Sequence, residues 1–261
     1  MPRVVIKFGT GVLSRSAGRA LDASQFRRFA AEIAVLVRSG HTCVIVSSAA
    51  IAAGVHILGL EERPNDLPGK QACAAAGQPE LMRMYAAAFR RHGVNVAQLL
   101  LTHDDIDSRM RRQNASNTIE RILDAGNIVP IINENDTVAV EELRFGDNDR
   151  LSAEVAQLVG ANLLLLVTSS DGLVDSDGQR INRAWNVSEV FQHVRPDKGE
   201  MSVGGMRAKL QAVDFALSHG ISAFVLDGRK PGQIAAAIEG RDVGTQFPAT
   251  SDRSPQEKVR I

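Results

Sequence analysis

Two segments of this 261-residue chain set a lysine beside glycines. Lys7-Phe8-Gly9-Thr10-Gly11 follows a short apolar run, and Gly204-Gly205-Met206-Arg207-Ala208-Lys209 opens a helical pattern with its lysine one turn inside. This is chemistry for an anion. Glycine lets backbone N–H groups approach oxygens closely, a helix start adds positive dipole, and lysine neutralises charge. Each segment alone also has a plain reading: a solvated strand terminus for Lys7, and a glycine turn followed by a surface lysine for Lys209. Neither is a P-loop, because no GxxxxGK[ST] occurs, and Ser14 stands where a dinucleotide fingerprint needs its third glycine.

Amides and acids cluster at two further places. Asn133-Glu134-Asn135-Asp136 directly follows the apolar Pro130-Ile131-Ile132, and Gly146-Asp147-Asn148-Asp149 directly precedes a helical pattern. The first cluster could hold an amino group or a metal, or form an Asx turn. The second could cap the helix, which needs only one of its residues, or bind a metal, although it lacks EF-hand spacing. Ser47-Ser48-Ala49-Ala50 supplies small residues after a buried run, suited to close approach by a ligand or by a helix. His103 beside Asp104 and Asp105 has no second histidine at ligand spacing. Ser48 lacks the G-x-S-x-G elbow of a hydrolase.

The elements that must position these groups alternate. Val4–Phe8, Cys43–Val46, Val94–Leu101, Ile128–Ile132, Leu163–Val167 and Ala223–Leu226 read as strands. Between them lie helical patterns over Asp22–Ser39, from Gly69 to near Gly93, Asn114–Ala125, Arg150–Val159, Met206–Ser218 and Gly232–Ile238. Pro79 is expected to break the long one or to start a new first turn. Asp22 or Ser24 caps the first. Asp171–Gly199, rich in turn residues, reads as an excursion, either a hairpin or a lid. Strands buried on both faces and separated by helices make an α/β fold, a mostly parallel sheet covered on both sides, with ligands beyond the carboxyl ends of the strands. This single pattern occupies residues 1–248, and 249–261 reads as a polar, poorly ordered tail.

Composition narrows the function. The chain is 44% hydrophobic and 23% charged, with 30 basic and 30 acidic residues and zero net charge. That balance argues against nucleic acid, and Arg109, Arg111 and Arg112 read as a solvated helix start. No apolar run is long enough to span a bilayer, and no secretory leader is visible. Cys43 and Cys73 lack metal-ligand or CxxC spacing and read as buried thiols, so a cytoplasmic location is expected.

Taken together, Lys7-Phe8-Gly9-Thr10, the loop at Ser48, Ile132 to Asp136, Gly146 to Asp149 with Leu151-Ser152-Ala153, and Gly204-Gly205-Met206 with Lys209 resemble the glutamate 5-kinase family of the amino-acid kinase superfamily. The likeness runs from Val4 to about Phe247. It implies an open sheet of about eight strands between helical layers, as an amino-acid kinase-like three-layer sandwich. It implies ATP with Mg²⁺ carried by the nucleotide, L-glutamate as phosphoryl acceptor, L-proline as feedback inhibitor, and a homodimer or homotetramer. Residue by residue, Lys7 and Lys209 match the two lysines that stabilise the transferring phosphoryl group, and Asp149 the acid that orients them. Ser48, Asn133, Asp136 and Asn148 match the glutamate-binding groups. Lys7, Gly9, Thr168, Ser169, Gly204, Gly205, Met206 and Lys209 match the nucleotide-binding groups. Many members add a C-terminal PUA domain, for which this sequence leaves no room. Three positions depart from the pattern: Ala49 replaces a glycine, Ser169 a frequent aspartate, and Val203 a common threonine. If position 49 needs positive φ, alanine there costs about 1 kcal/mol.

Overall fold

The computed structural model describes residues 2–15, 20–139, 148–191 and 205–250. In chain order these form β1 (Arg3–Phe8), α1 (Thr10–Leu13), α2 (Ala23–Arg38), β2 (Thr42–Ser47), α3 (Ala50–Ile57), α4 (Leu67–Arg90), β3 (Asn95–Leu101), α5 (His103–Asp107), α6 (Arg109–Asp124), β4 (Ile128–Glu134), α7 (Asn148–Leu158), β5 (Leu163–Thr168), α8 (Ser188–Phe191), α9 (Met206–Ser218), β6 (Ser222–Asp227), α10 (Gln233–Ile238) and β7 (Thr245–Phe247). The sheet order is β3-β4-β2-β1-β5-β6-β7. All pairs are parallel except β6 with β7. Seven strands thus stand in the described residues where the resemblance implied about eight.

Both faces are buried, and the period of two decides what each faces. Val4, Ile6 and Phe8 join one core with Phe26, Phe29 and Ile33 of α2 and Leu81, Tyr85 and Phe89 of α4. Val5, Val44 and Val46 join the opposite core with Ile119 of α6, Leu151 and Val155 of α7 and Leu210 and Val213 of α9. Lys7 shares the parity of Val5 and so projects toward α7. Asn133 shares the parity of Ile131 and faces α4. The alternation that fills the two cores therefore also sends these two polar side chains to opposite helical layers.

The first helical pattern is capped by Asp22, whose carboxylate accepts from Ser24 N–H at 2.9 Å. α6 begins at Arg109, so the basic run is a helix start, as expected, and reaches further back than the Asn114 boundary. Pro79 was expected to interrupt the long helix, but α4 runs unbroken from Leu67 to Arg90. The carbonyl that proline deprives of a donor belongs to Ala75, and both residues are exposed, so water can serve it. The helix is held instead by its buried side and by α3. A Cβ on Gly77 would lie 1.9 Å from Ala50 O, and one on Gly54 1.8 Å from Cys73 O, so the two helices touch backbone to backbone.

The described part of the excursion after Asp171 is a small hairpin. Val174 pairs antiparallel with Arg180, and Asp175 Oδ1 accepts from the N–H groups of Asp177 and Gln179 at 2.9 Å each. It is pinned to the sheet edge by Ala184 N–H donating to Gln246 O and Gln246 N–H to Asn182 O. Gly146, Asp147, Val203, Gly204 and the tail beyond residue 250 lie outside the described residues.

Candidate active site

β1 lies centrally, with β2 on one side and β5 on the other, so the chain reverses its direction of winding here. Open parallel sheets bind ligands beyond strand ends at such a point. Lys7, the next-to-last residue of β1, is 5% exposed and Asp149, on the first turn of α7, is 1% exposed. The Lys7 ammonium lies 2.7 Å from Asp149 Oδ1. Lys209, from α9, reaches the other oxygen, Oδ2, at 3.2 Å. Two cations from different elements thus share one buried anion at the strand end. Burial lowers the Lys7 pKa below the ordinary lysine value; Asp149 opposes the shift and Lys209 adds to it.

α7 is itself braced. Glu154 is buried, with one oxygen 2.6 Å from His103 Nδ1 and the other accepting from Arg150 Nε at 2.8 Å. His103, considered above for a metal, therefore engages a carboxylate about one and a half turns further along the helix that presents Asp149. Among the described residues no group of three or more His, Cys, Asp or Glu could hold a metal ion.

The β2 end lies beside β1, with Ser48 N–H donating to Phe8 O at 3.2 Å. Ala49 follows in the left-handed region, φ 81 and ψ 7, the one non-glycine residue with positive φ among the described residues. The conformation suspected from the glycine-to-alanine departure is thus present. Asn148 Nδ2 donates to Ser48 Oγ at 3.2 Å, which joins the start of α7 to this loop.

At the β4 end, Asn133 is buried. Its Oδ1 accepts from Glu134 N–H at 3.0 Å, and its Nδ2 donates to Gln78 Oε1 of α4 at 2.9 Å. Asn135 makes the local turn considered above, accepting from Thr137 Oγ1 at 2.6 Å. Asp136 is half-buried and acts on the Arg63 guanidinium, whose pKa burial lowers and Asp136 raises. Gln78 and Arg63 were not singled out from sequence. The only signal was indirect: Arg63 lies in the charged loop before α4, and Gln78 in an alanine-rich helix that showed no polar motif.

On the other side of β1, Gly9 N–H donates to Val167 O at 3.2 Å. Gly9 has an ordinary extended conformation, φ −76, and a Cβ there would meet Lys7 Nζ at 3.7 Å, an ordinary contact. Its backbone does not demand glycine. Thr168 ends β5, and Ser169 Oγ lies 3.7 Å from where a Cβ on Gly11 would stand, so these loops face each other. Gly205 is the N-cap of α9, and Met206 is its first residue.

Residues 2–227, which carry β1 to β6 and both lysines, match the model of the amino acid kinase family, and the chain belongs to that family. Solved structures of UMP kinases from Bacillus anthracis and Ureaplasma parvum share the fold, at TM-scores of 0.63 and 0.64 and 17% and 16% identity, each aligned over 95% of this chain and over 96% and 100% of theirs. Within the family the chain groups with the glutamate 5-kinases. It is 44% identical over 259 residues to the glutamate 5-kinase of Myxococcus xanthus and 46% identical over 252 residues to that of Thermus thermophilus. These alignments cover 96% and 95% of this chain and 68% and 67% of the two relatives.

Proposed function

We propose that the chain transfers the γ-phosphoryl group of ATP to the side-chain carboxylate of L-glutamate, giving L-glutamyl 5-phosphate and ADP, the step that commits glutamate to proline. The observation that carries this reading is the Lys7–Asp149–Lys209 cluster. A carboxylate oxygen of glutamate attacks Pγ in line, the bond from Pγ to the β,γ-bridging oxygen breaks, and that oxygen leaves on ADP. The acceptor is itself the nucleophile, so no serine or cysteine has to be activated. What the reaction needs is positioning and fixed positive charge for the equatorial phosphoryl oxygens. Lys7 and Lys209 are oriented for this before substrate arrives, because Asp149 holds both ammonium groups in a site largely shut from water.

Ser48, Asn133, Asp136 and Asn148 are assigned to glutamate, and Gly9, Thr168, Ser169, Gly204, Gly205 and Met206 to the nucleotide. Mg²⁺ arrives with the ATP phosphates, where it keeps several waters and few protein ligands. L-Proline competes at the glutamate site, and the chain works in the cytoplasm as a homodimer or homotetramer. No helix in the described residues is long and apolar enough to cross a membrane.

The test is ADP release by the purified protein with ATP and Mg²⁺, alone and with glutamate, aspartate, N-acetylglutamate or UMP. Stimulation by glutamate supports the reading. Stimulation by another acceptor in its place assigns the same phosphotransfer chemistry to a different substrate.

A further inference from the structure

Three amides at the β4 end form a chain whose orientation is fixed at one end by the backbone. Glu134 N–H can only donate, so the Asn133 atom that meets it at 3.0 Å must be the carbonyl Oδ1. The other Asn133 atom is then the donor Nδ2, and the Gln78 atom 2.9 Å from it must be the acceptor Oε1. Turning the Gln78 amide over would set two NH₂ groups against each other. Gln78 Nε2 is therefore held facing away from Asn133. It is closed off from solvent and donates to no acceptor among the described residues. A buried donor without a partner costs about 1–3 kcal/mol, a cost that a protein keeps where a ligand relieves it.

A matching acceptor stands at the start of α7, beside the loop that follows β2. Asn148 Nδ2 is committed to Ser48 Oγ, which leaves Asn148 Oδ1 buried and accepting from nothing among the described residues. One buried donor and one buried acceptor suit the two halves of a zwitterion, a carboxylate and an ammonium. The sheet order sets the direction. β4 is separated from β1 by β2, with each step about 4.8 Å. An acidic amino acid laid across the strand ends, with its reacting carboxylate at Lys7 on β1, carries its α-substituents over β2 and toward β4.

We propose that Gln78 is a substrate-binding residue that selects an amino acid with a free α-carboxylate, to which its Nε2 donates a hydrogen bond. The inference rests on the glutamate-kinase reading above and adds a residue to it. Gln78 comes from α4, which is fixed against α3 at Gly77 and Gly54, so the donor is carried on a rigid support.

The experiment compares the wild type, Q78A and Q78E, with KM for glutamate and for ATP measured separately and folding checked by circular dichroism. Q78A should raise KM for glutamate roughly tenfold, leaving KM for ATP and kcat within about twofold. Q78E keeps an acceptor for Asn133 but points a carboxylate at a carboxylate, and should be worse than Q78A. Its deficit should shrink with the α-amide of glutamate, whose NH₂ can donate to the introduced oxygen. A merely packing role predicts the reverse order, with the isosteric Q78E close to wild type, and that result overturns the proposal. So does an equal rise in both KM values. If either variant is unfolded, the Gln78 side-chain amide resonance of the ¹⁵N-labelled wild type is followed on adding unlabelled glutamate. A shift supports the contact, and none at saturation overturns it. A wild type with no glutamate-dependent turnover removes the parent reading itself, an outcome independent of both variants.

Discussion

The ammonium of Lys7 sits 2.7 Å from Asp149, and neither side chain is more than 7% exposed. A pair so buried is weak evidence for stability, since removing both charges from water costs several kcal/mol per ion. Its geometry makes more sense as preorganisation. With Lys209 on the second carboxylate oxygen, the cluster holds both ammonium groups in the arrangement that the proposed phosphoryl transfer requires.

Lys7→Ala and Lys209→Ala should each lower kcat by roughly tenfold or more, because in the proposed reaction both act on charge that develops in the transition state. Circular dichroism checks the fold. Near-normal kcat in either folded variant removes that lysine from the mechanism.

Burial sets the Lys7 pKa below the ordinary lysine value, which predicts an alkaline limit on catalysis. As pH rises through the lowered value, Lys7 loses its proton and its charge, so kcat should fall at lower pH than free lysine would dictate. Stability runs the other way. The native state gives up this proton before the unfolded chain does, so across the same window the Lys7 contribution to stability should increase with pH. Lys7→Arg, which cannot deprotonate in that range, should abolish the Lys7 limb of the kcat profile. A limb unchanged in that variant assigns the titration elsewhere.

Ala49→Gly should stabilise the protein by about 0.5–1 kcal/mol, read as a raised midpoint in urea at constant m-value. The left-handed conformation at φ 81 costs alanine about 1–2 kcal/mol, partly offset by the larger backbone entropy that glycine loses on folding. A fall in stability would mean that the methyl group packs better than the strain costs.

Asp136→Asn should raise KM for glutamate roughly 10- to 100-fold with little change in KM for ATP, as expected when a charge-assisted contact worth about 1.5–3 kcal/mol is lost. It should weaken inhibition by L-proline in parallel, because proline offers the same α-carboxylate and a cationic nitrogen but no side-chain acceptor. In the wild type, proline should raise the apparent KM for glutamate and leave kcat unchanged. Equal effects on both substrates would instead make Asp136 a partner of Arg63 that shapes the loop.

Much of the fold was legible because its central strands are buried on both faces and read as continuous apolar runs: β1, β2, β4, β5 and β6 fall where Val4–Phe8 and its counterparts placed them. β7 escaped notice because Thr245-Gln246-Phe247 is short and lies beside the tail. α3 escaped because Ala50 to Val55 is small and apolar on every side, so no period stands out. Pro79 misled because local propensity says nothing of the α3 surface that holds α4 together. In the site, the polar groups at the strand ends could be named one by one. Their convergence could not, since Lys7, Asp149 and Lys209 are distant in sequence and were linked only through resemblance to a family. Gln78 was silent because a glutamine in a helix has no signature until the amide it faces is known.

The glycine contact between α3 and α4 has a mechanical meaning. With backbone pressed on backbone at Gly54 and Gly77, and Ile51 and Val55 packed on Cys73 and Ala74 beside that contact, neither helix can slide without unseating the other. The loop at Ser48 and Ala49 leads into one helix and Gln78 rides on the other, so these two walls of the proposed acceptor pocket behave as a single jaw. Tuning for a longer or shorter acidic acceptor would then have to come from the opposite wall, at β4 and the first turn of α7, where side chains rather than main chain set the gap.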